Sequence, residues 1–300
     1  MRPYTENYPK ALLPVGEKTV IEYMLDNISA SGIQEVVIVV GYKASVLREK
    51  IGSQYKNCSI HYVVNEEYET TNNIYSLWLA RKHVTDGMIF FNGDIIFHRG
   101  ILDGILSNGF SNSFVADPFS KLEDDAMKVI LREGRMRKIG KHLTADANAW
   151  AIGIYKLSQE ASEEYFREAK KLFESGNKNV SFVVPLQSIS GKFPLHKHKV
   201  LPHHGWVEID TPTDYEKAKE RIDAIVSQEK NNAQKMVFSN YKKIATSPLR
   251  QKLLAFAHEG IYSALPRQFM SQSIQFKDGI LYVKDKMVSL KDKRVFVIGA

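Results

Sequence analysis

The fold is decided by residues 1–15, which read MRPYTENYPKALLPV. Prolines at positions 3, 9 and 14 exclude a regular helix and impose an extended, turning path. Arg2 and Lys10 lie on this stiff path, and each can donate charge-assisted hydrogen bonds to an anion. Residues 17–33 then carry apolar side chains at helical spacing. A rigid basic loop that leads into a helix predicts a phosphate-binding segment, although a proline-rich leader that only tethers the helix explains the same pattern.

The same stretch resembles the signature of sugar-1-phosphate and phosphocholine nucleotidyltransferases, through the motifs Arg2-Pro3-Tyr4-Thr5 and Pro9-Lys10-Ala11-Leu12-Leu13-Pro14-Val15. In that family a strand and a glycine-rich loop ending in arginine precede these motifs. The resemblance therefore implies a nucleotidyltransferase domain that lacks its first strand and its glycine-rich loop, and with them half of the triphosphate site.

Length and composition are those of a globular protein. A chain of 300 residues predicts two domains, or one large domain with an appendage. Its apolar content of 44% and charged content of 25% are ordinary. No apolar run approaches the roughly 20 residues that span a bilayer, and no signal peptide precedes the first predicted helix. Cys58 is the sole cysteine of the sequence, which excludes an internal disulfide framework and favours a reducing, cytoplasmic location.

A net charge of +7 raises the question of nucleic-acid binding. The basic residues are scattered, however, and no basic stripe interleaved with aromatic residues is present. A polyanionic small molecule such as a nucleoside triphosphate accounts for the charge equally well, and so does a solvated basic surface. The sequence therefore predicts no nucleic-acid partner and no membrane partner.

Apolar runs at residues 35–40 and 88–91 have the pattern of parallel strands that are covered on both faces. Helices are predicted over residues 43–54 and 72–83, with a strand over residues 60–64 between them. This alternation predicts an α/β fold with a mostly parallel, Rossmann-like sheet. In such sheets ligands bind beyond the carboxyl ends of the strands.

Short predicted strands with intervening turns follow, and they indicate a small antiparallel extension that forms the acceptor side of the site. Their ranges are 113–116, 127–131, 136–139 and 150–155. Next come a predicted helix over residues 160–175, a strand over 200–209 and a helix over 213–228. We therefore predict a nucleotidyltransferase domain at residues 1–228, a polar linker at 229–246 and a C-terminal α/β fragment at 247–300.

The C-terminal fragment shows a second resemblance. A predicted helix at residues 247–264, a hairpin that turns at Asp278-Gly279, and the final strand Val295-Phe296-Val297-Ile298 with Gly299-Ala300 resemble the beginning of glycerate 2-kinase-family proteins. The resemblance implies a truncated kinase-like domain and a bifunctional parent protein. A small docking or dimerisation appendage is the alternative.

Asp94 is the first candidate for a catalytic carboxylate. It follows a buried predicted strand in the sequence Asn92-Gly93-Asp94, so it should emerge at the carboxyl edge of the sheet. Mg²⁺ prefers oxygen ligands and takes one or two carboxylates together with substrate phosphates. Asn-Gly is equally a turn signal. The resemblance to nucleotidyltransferases implies that Asp94 binds Mg²⁺, and we expect Asn92 and Gly93 to contact substrate beside it.

A second pair of carboxylates lies in residues 205–212, which read GWVEIDTP. Strand alternation puts Trp206, Glu208 and Asp210 on one face, which is unusual for core packing. A solvated edge strand is the alternative interpretation. The segment resembles the closing motif of phosphocholine-type enzymes, which implies that Asp210 is the second Mg²⁺ ligand and that Glu208 and Trp206 bind substrate nearby.

The stretch Asn72-Asn73-Ile74-Tyr75-Ser76 opens a predicted helix. It resembles the form found in enzymes that use small phosphorylated acceptors, commonly with CTP, rather than hexose-1-phosphate enzymes. Asn72, Asn73 and Ser76 can hydrogen-bond a base or a ribose. Helix capping and core packing explain the stretch about as well.

Several further side chains have weaker patterns. Lys128 and Lys141 can reach an acceptor phosphate, although a lone lysine is usually solvated. Four histidines at positions 196, 198, 203 and 204 lack zinc-ligand spacing, so we expect exposed loop histidines. Trp150 can line either the acceptor pocket or the core.

Taken together, the sequence predicts a Mg²⁺-dependent nucleotidyltransferase with Lys10, Asp94 and Asp210 as catalytic residues. Arg2 and Lys128 would contribute to substrate binding. The substrates would be a nucleoside triphosphate, which the resemblance implies is CTP, and a small phosphate- or phosphonate-bearing acceptor. A hexose-1-phosphate nucleotidyltransferase and a catalytically silent nucleotide-binding module are the alternatives, and a homo-oligomer is left open.

Overall fold

The computed structural model describes residues 1–118, 125–144, 146–226, 274–277, 280–283 and 294–298. The chain divides into two compact units, one made of Met1–Val226 with Leu290–Ala300 and the other of Ser227–Ser289. The predicted linker at 229–246 and the predicted helix at 247–264 lie outside the described residues. The domain boundaries and the kinase-like fragment stay predictions.

The described strands are β1 (Pro14–Val15), β2 (Lys18–Thr19), β3 (Glu35–Val40), β4 (Gln54–Tyr55), β5 (Cys58–Val64), β6 (Met88–Asn92), β7 (Ile95–Phe97), β8 (Ser113–Asp117), β9 (Lys128–Arg132), β10 (Arg135–Ile139), β11 (Ala149–Leu157), β12 (His196–Lys199), β13 (Trp206–Glu208), β14 (Ile274–Lys277), β15 (Ile280–Val283) and β16 (Arg294–Ile298). The helices are α1 (Val20–Ala30), α2 (Ala44–Ile51), α3 (Asn73–Ala80), α4 (Arg99–Ser107), α5 (Gln159–Glu174), α6 (Val183–Ile189) and α7 (residues 212–226). Short 3₁₀ turns cover Lys10–Leu12 and Arg81–His83.

The first unit is built on a ten-stranded sheet with the order β4-β5-β3-β16-β6-β11-β8-β12-β10-β9. Strands β5, β3, β16 and β6 run parallel to one another. From β11 onward the pairings are antiparallel except for that of β8 with β12. The predicted α/β fold with a Rossmann-like sheet and an antiparallel extension is therefore confirmed.

Strand β3 shows why the apolar runs form the centre of the sheet. Val36, Ile38 and Val40 pack into the cluster that contains α1 and α4, and Val37 and Val39 pack into the cluster that contains α3 and α5. Both faces are covered, as the continuous apolar run predicts. A third cluster joins β7 and β13 to α7.

Helix α1 begins later than predicted, at Val20, because the chain places a capping box there. The backbone N–H of Thr19 donates to the Glu22 carboxylate at 2.8 Å, and the Thr19 hydroxyl donates to the same carboxylate at 2.7 Å. The box satisfies backbone groups at the helix start and fixes the boundary.

The structure differs from the predicted local structure in one further strand and in three additional elements. The predicted strand at 200–209 shrinks to β13, because His204 N–H donates to Leu201 C=O in a turn and, among the described residues, β13 pairs with β7 alone. Helices α4 and α6 and strand β12 were not predicted. Glycines at positions 100 and 104 lower the helix propensity of α4, and α6 contains Pro185. Tertiary packing overrides these local preferences.

Within the described part of the chain, no helix combines the length and the apolar character needed to cross a bilayer.

Candidate active site

Lys10 lies at the start of the 3₁₀ turn that follows Pro9. The turn is closed by Leu12 N–H donating to Pro9 C=O at 2.8 Å, and Ala11 and Leu12 anchor it in the core. The Lys10 ammonium group lies 2.6 Å from Asp94 Oδ2 and 2.7 Å from Asp210 Oδ1. Burial by itself lowers the pKa of Lys10, but the two carboxylates outweigh it and raise the pKa above its usual value. Lys10 therefore stays charged.

Two short elements bring the carboxylates to this ammonium group. Asp94 follows the buried strand β6, and Asp210 follows β13 by two residues. Between them, the backbone N–H of Ile209 donates to the carbonyl of Asp94 at 3.0 Å. This bond extends the antiparallel pairing of β7 with β13. The sheet edge thus holds two acids from distant parts of the chain beside one cation.

Glu208 is a third carboxylate of the site. Its Oε1 accepts a long hydrogen bond, 3.4 Å, from the Asn92 side-chain amide. Burial raises the pKa of Glu208, and the negative charges of Asp94 and Asp210 raise it further, to about 8. Such a perturbed carboxyl group in a cleft is typical of functional sites.

The Asp94 carboxylate offers an oxygen ligand to a divalent cation. Asp94 is only 8% exposed, and its Oδ1 has no hydrogen-bond partner among the described residues. A buried, unsatisfied carboxylate oxygen is a free ligand position. No group of three or more histidine, cysteine, aspartate or glutamate side chains with metal-site geometry occurs in the described ranges. Mg²⁺ does not require one, since it usually keeps several waters and binds through one or two carboxylates. The residues fit the cation.

A cavity of about 730 Å³ opens beside these carboxylates. Asn92, Asp94, Tyr155, Glu208 and Asp210 line it on the side of the sheet. The opposite wall consists of residues from the β10–β11 loop and from α6, namely Lys141, His142, Val183, Val184, Gln187 and Ser188. Volumes of this order suit small-molecule ligands.

The asparagines at the start of α3 also line the cavity. Asn72 caps the helix by accepting from Asn73 N–H at 2.8 Å. The side-chain oxygen of Asn73 accepts from Phe182 N–H at 3.0 Å and ties α3 to the segment just before α6. The capping alternative is thus observed for Asn72, and both side chains remain at the cavity wall.

Five predicted substrate-binding residues do not line this cavity. Ser76 is buried and accepts a hydrogen bond from the Asn65 side-chain amide at 3.1 Å. Lys128 is also buried, and its ammonium group donates to the carbonyl of Lys141 at 3.0 Å. Gly93 is buried between Asn92 and Asp94, while Arg2 is exposed on the opening loop.

Trp206 is the fifth predicted substrate-binding residue that does not line the cavity. Its indole N–H donates to Asp117 Oδ2 at 2.8 Å, and its ring packs edge-on against Trp150 at 5.1 Å. Both tryptophans pack into the cluster that contains α1. The predicted substrate contacts of Ser76, Lys128 and Trp206 are not supported by the geometry, because each of these side chains forms a hydrogen bond within the protein.

The sequence predicts exposed loop histidines, and His203 is exposed, whereas His196, His198 and His204 are half-buried and the first two lie on β12. The rings of His98 and His204 stack with centroids 4.7 Å apart, and His204 contacts His203 edge-on. Burial lowers the pKa of His204, and His98, His203 and His198 lower it further, to about 4. Their packing lies against α4, where Gly100 leaves room for the His204 ring.

Sequence reasoning missed the outer wall of the cavity. Tyr155, His142 and the α6 residues lack a local signal, because they reach the site only through the packing of α5, α6 and β10 around β11. Helix α6 lies between two predicted elements. Its Pro185 is unfavourable in a helix, so the sequence pattern did not indicate α6.

Comparison with known proteins shows which proteins this chain is similar to. The profile of the MobA-like NTP transferase domain matches residues 4–150. The CMP-5'-(3-aminopropyl)phosphonate synthase of Streptomyces rubellomurinus is 38% identical over 95 residues, which are 32% of this chain and 15% of that protein. The bifunctional IPC transferase and DIPP synthase of Aquifex aeolicus is 27% identical over 283 residues, 90% of this chain and 61% of that protein.

A third relative is the choline-phosphate cytidylyltransferase of Streptococcus pneumoniae, 33% identical over 97 residues, which are 32% of this chain and 41% of that protein. The chain spans less than two thirds of the length of each of these three curated relatives.

Solved structures share the fold. The inositol-1-phosphate CTP transferase from T. maritima superposes with a TM-score of 0.61 at 23% identity and covers 74% of this chain and 91% of its own. A putative glucose-1-phosphate thymidylyltransferase from Bacillus anthracis gives a TM-score of 0.63 at 18% identity and covers 73% and 89%. Residues 4–150 are therefore similar to a MobA-like NTP transferase domain, and the fold of the chain and the relatives that it matches are those of nucleotidyltransferase enzymes.

Proposed function

We propose that this chain transfers a nucleotidyl group from a nucleoside triphosphate, CTP, to a small phosphate- or phosphonate-bearing acceptor and releases pyrophosphate. The observation that carries the proposal is the Lys10 ammonium group held between Asp94 and Asp210, two carboxylates that line the cavity. A cation and two acids from three distant segments meet where the sheet ends, which is where α/β sheets bind ligands.

The acceptor needs little chemical help from the protein. A phosphate monoester is already an anion at neutral pH, so its oxygen can attack the α-phosphorus without a general base. The reaction then depends on positioning and on neutralisation of charge. Lys10 would hold anionic oxygens of the triphosphate, and the cavity wall would orient the acceptor.

Asp94 and Asp210 would hold Mg²⁺, with the unsatisfied Asp94 Oδ1 as one ligand. When bound, the cation supplies charge neutralisation at the α-phosphate. Lys10 lies against the same two carboxylates and neutralises their charge. Its ammonium group would contact the triphosphate beside them.

The choice of CTP and of a small acceptor rests on two of the relatives. One is named a CMP-phosphonate synthase and another a choline-phosphate cytidylyltransferase. The Asn72-Asn73 start of α3, at the cavity wall, agrees with this branch. A hexose-1-phosphate nucleotidyltransferase is the second candidate, which the similarity in fold to a putative glucose-1-phosphate thymidylyltransferase favours.

Two further proposals concern the whole protein. A cytoplasmic location would suit the single cysteine, Cys58, which is buried and free. The resemblance of residues 247–300 to glycerate 2-kinases stays a prediction, and so do the parent protein's bifunctionality and any homo-oligomer.

The experiment measures pyrophosphate release with each of four nucleoside triphosphates and four acceptors: phosphocholine, 2-aminoethylphosphonate, phosphoglycerate and glucose-1-phosphate. We expect release with CTP and one of the first three acceptors in the presence of Mg²⁺. Asp94→Asn should abolish it with the fold intact, whereas Asp103→Asn, on the exposed face of α4, should not. Release with glucose-1-phosphate alone would favour the second candidate. Nucleotide binding by calorimetry without release for any pair would indicate a catalytically silent module.

A further inference from the structure

Helix α6 forms part of the outer wall of the cavity, although it is short. It spans Val183–Ile189, and a helix of this length is not stable on its own. Leu186 and Ile189 are buried in the cluster that contains α3 and α5, so burial docks the helix. Burial is not directional. The orientation of α6 therefore depends on directional contacts, which hydrogen bonds near its two ends supply.

The first of these anchors is at Phe182, the residue before α6. Phe182 is 2% exposed, and both of its backbone polar groups bond to side chains from other elements. Its N–H donates to Asn73 Oδ1 at 3.0 Å, and its C=O accepts from the Tyr165 hydroxyl at 3.0 Å. Asn73 opens α3, and Tyr165 lies within α5. A buried backbone group needs a partner, so these two side chains fix the point at which α6 begins.

The second anchor is the side-chain amide of Gln187, in the second half of α6. Its Oε1 accepts from the backbone N–H of Ile139 at 3.0 Å, and its Nε2 donates to the backbone C=O of Arg137 at 2.9 Å. Both backbone groups belong to β10. One side-chain amide thus makes a pair of bonds like the pair that an antiparallel neighbour would make.

Strand β10 accepts this contact because its pairing is incomplete. Among the described residues, β12 pairs with β10 only at Arg135, through His196. On the side of β9 the register shifts around Arg137, which is the extra residue of a bulge. Gln187 therefore takes the place of a strand beyond the point at which the pairing with β12 ends.

The two anchors connect α6 to other walls of the cavity. Asn73 lines the cavity at the start of α3, and β10 leads into the loop that carries Lys141 and His142, which line it as well. Val184 and Ser188 of α6 are also lining residues. Among the described residues, neither anchoring amide bonds to a carboxylate of the site. A displacement of α6 would therefore change the space beside the carboxylates and leave their own contacts in place.

We propose that Asn73 and Gln187 are positioning residues that hold α6 as a preformed wall of the cavity and thereby set the space available to the acceptor. Asn73 then acts through Phe182 rather than as a ligand of the base or the ribose. The effect on acceptor binding rests on the proposed function. The effect on α6 is measurable without any substrate.

The first test is amide hydrogen exchange of the unaltered chain. The amides of Phe182 and Ile139 should be protected about a hundredfold or more relative to an unstructured peptide, because each donates to a side chain that is itself held in place. Exchange of either amide at the rate of an unstructured peptide would overturn the anchor at that residue. This measurement does not depend on whether any variant folds.

The second test repeats the measurement in Asn73→Leu and Gln187→Met, which keep the approximate size of each side chain and remove its amide. Asn73→Leu should speed exchange of the Phe182 amide about tenfold and leave that of Ile139 unchanged, and Gln187→Met should do the reverse. Each variant is therefore the control for the other. A variant that leaves its own amide protected would overturn the role of that residue. Equal acceleration of both amides in both variants would indicate general destabilisation and overturn both roles.

The conservative variant Asn73→Asp separates positioning from a direct contact with substrate. A carboxylate oxygen can accept from Phe182 N–H but cannot donate as the amide nitrogen does. Protection of the Phe182 amide and the KM for the acceptor should therefore be retained in Asn73→Asp and lost in Asn73→Leu. Equal losses in the two variants would overturn the proposal, since they would indicate a substrate contact that the Asn73 amide donates.

The third test is the effect on KM in pyrophosphate release. CTP is used with whichever of phosphocholine, 2-aminoethylphosphonate and phosphoglycerate supports release. Asn73→Leu and Gln187→Met should raise KM for that acceptor about fivefold or more and leave KM for CTP within about twofold. Gln159→Leu removes an exposed amide that bonds Glu163 on α5, and it should change neither KM.

A raised KM for CTP with an unchanged KM for the acceptor would overturn the acceptor role of α6. Absence of release from the unaltered chain with every pair of substrates would count against the proposed function. The exchange results would still decide whether Asn73 and Gln187 anchor the helix.

Discussion

The ammonium nitrogen of Lys10 lies 2.7 Å from a carboxylate oxygen of Asp210, although 200 residues separate the two in the chain. The Asp94 carboxylate contacts the same nitrogen at 2.6 Å. One cation thus neutralises two acids that would otherwise repel each other. The following predictions start from this arrangement and from the contacts that support it.

Lys10→Met should weaken both the fold and the activity, because it removes the charge and keeps a side chain of similar length. Loss of a well-placed charged group at the reacting phosphate is expected to lower kcat about 10²-fold or more. Mg²⁺ should raise Tm more in this variant than in the parent chain, because the cation replaces the missing ammonium group. Thermal melts with and without Mg²⁺ measure the difference.

The matched control is Lys18→Met, which removes a more exposed ion pair with Asp26. Such pairs contribute about 0–1 kcal/mol. An equal response of the two variants to Mg²⁺ would contradict the role given to Lys10.

Glu208→Gln should stabilise the protein and reduce its activity. The folded-state pKa of Glu208, about 8, lies above its unfolded value, because burial and the charges of Asp94 and Asp210 disfavour ionisation. The ionised group therefore destabilises the fold increasingly as pH rises from about 4.5 to 8. The gain in Tm from the substitution should be larger at pH 8.5 than at pH 6. Equal gains at both pH values would refute the assignment, and activity should fall about tenfold if the carboxylate contacts substrate.

Asp117→Leu should destabilise the chain by about 1–3 kcal/mol, since it leaves the buried indole N–H of Trp206 without its acceptor. Asp117→Asn keeps an acceptor oxygen, so it should lower the free energy of unfolding by less than Asp117→Leu does. Trp206 belongs to β13, which carries Glu208. Activity should therefore be highest in the parent chain, lower in Asp117→Asn and lowest in Asp117→Leu. Urea unfolding and steady-state kinetics check both orders. Identical losses in the two variants would argue against the hydrogen bond.

The stacked pair His98 and His204 should make the fold sensitive to acid. Burial lowers the pKa of each imidazole, and for His204 the folded value is about 4. A histidine whose folded pKa lies below its unfolded value stabilises the fold fully above about 6.5, and this contribution is lost as pH falls toward 4. Stability should therefore decline between pH 6.5 and 4.

His204→Phe keeps an aromatic ring on His98 and removes the titrating group, so it should flatten this decline. His61→Phe, at an exposed position on β5, is the control and should leave the decline unchanged. Chemical denaturation at several pH values measures the slope. A slope that His204→Phe does not alter would place the acid sensitivity elsewhere.

Much of the site followed from local patterns. Asp94 comes two residues after the strand Met88–Asn92, and the continuous apolar run of that strand is typical of an interior strand. The alternation of residues 206–210 was also informative: Trp206 packs into one cluster, Val207 and Ile209 into another, and Glu208 faces the cavity. Pattern alone could not show that Trp206 bonds Asp117 and turns away from the substrate, because that contact depends on the position of β8.

The sequence by itself determined which segments become strands, which of their faces are buried and where acids and lysines stand at strand ends, because these properties depend on the period of the side chains along a strand or helix. Only the tertiary structure decided that Ser76 and Lys128 turn inward, that α6 closes the cavity, and that β16 lies between β3 and β6. These outcomes depend on which distant segments meet, and the free energy that selects them comes from burial and backbone pairing between elements rather than from any one of them.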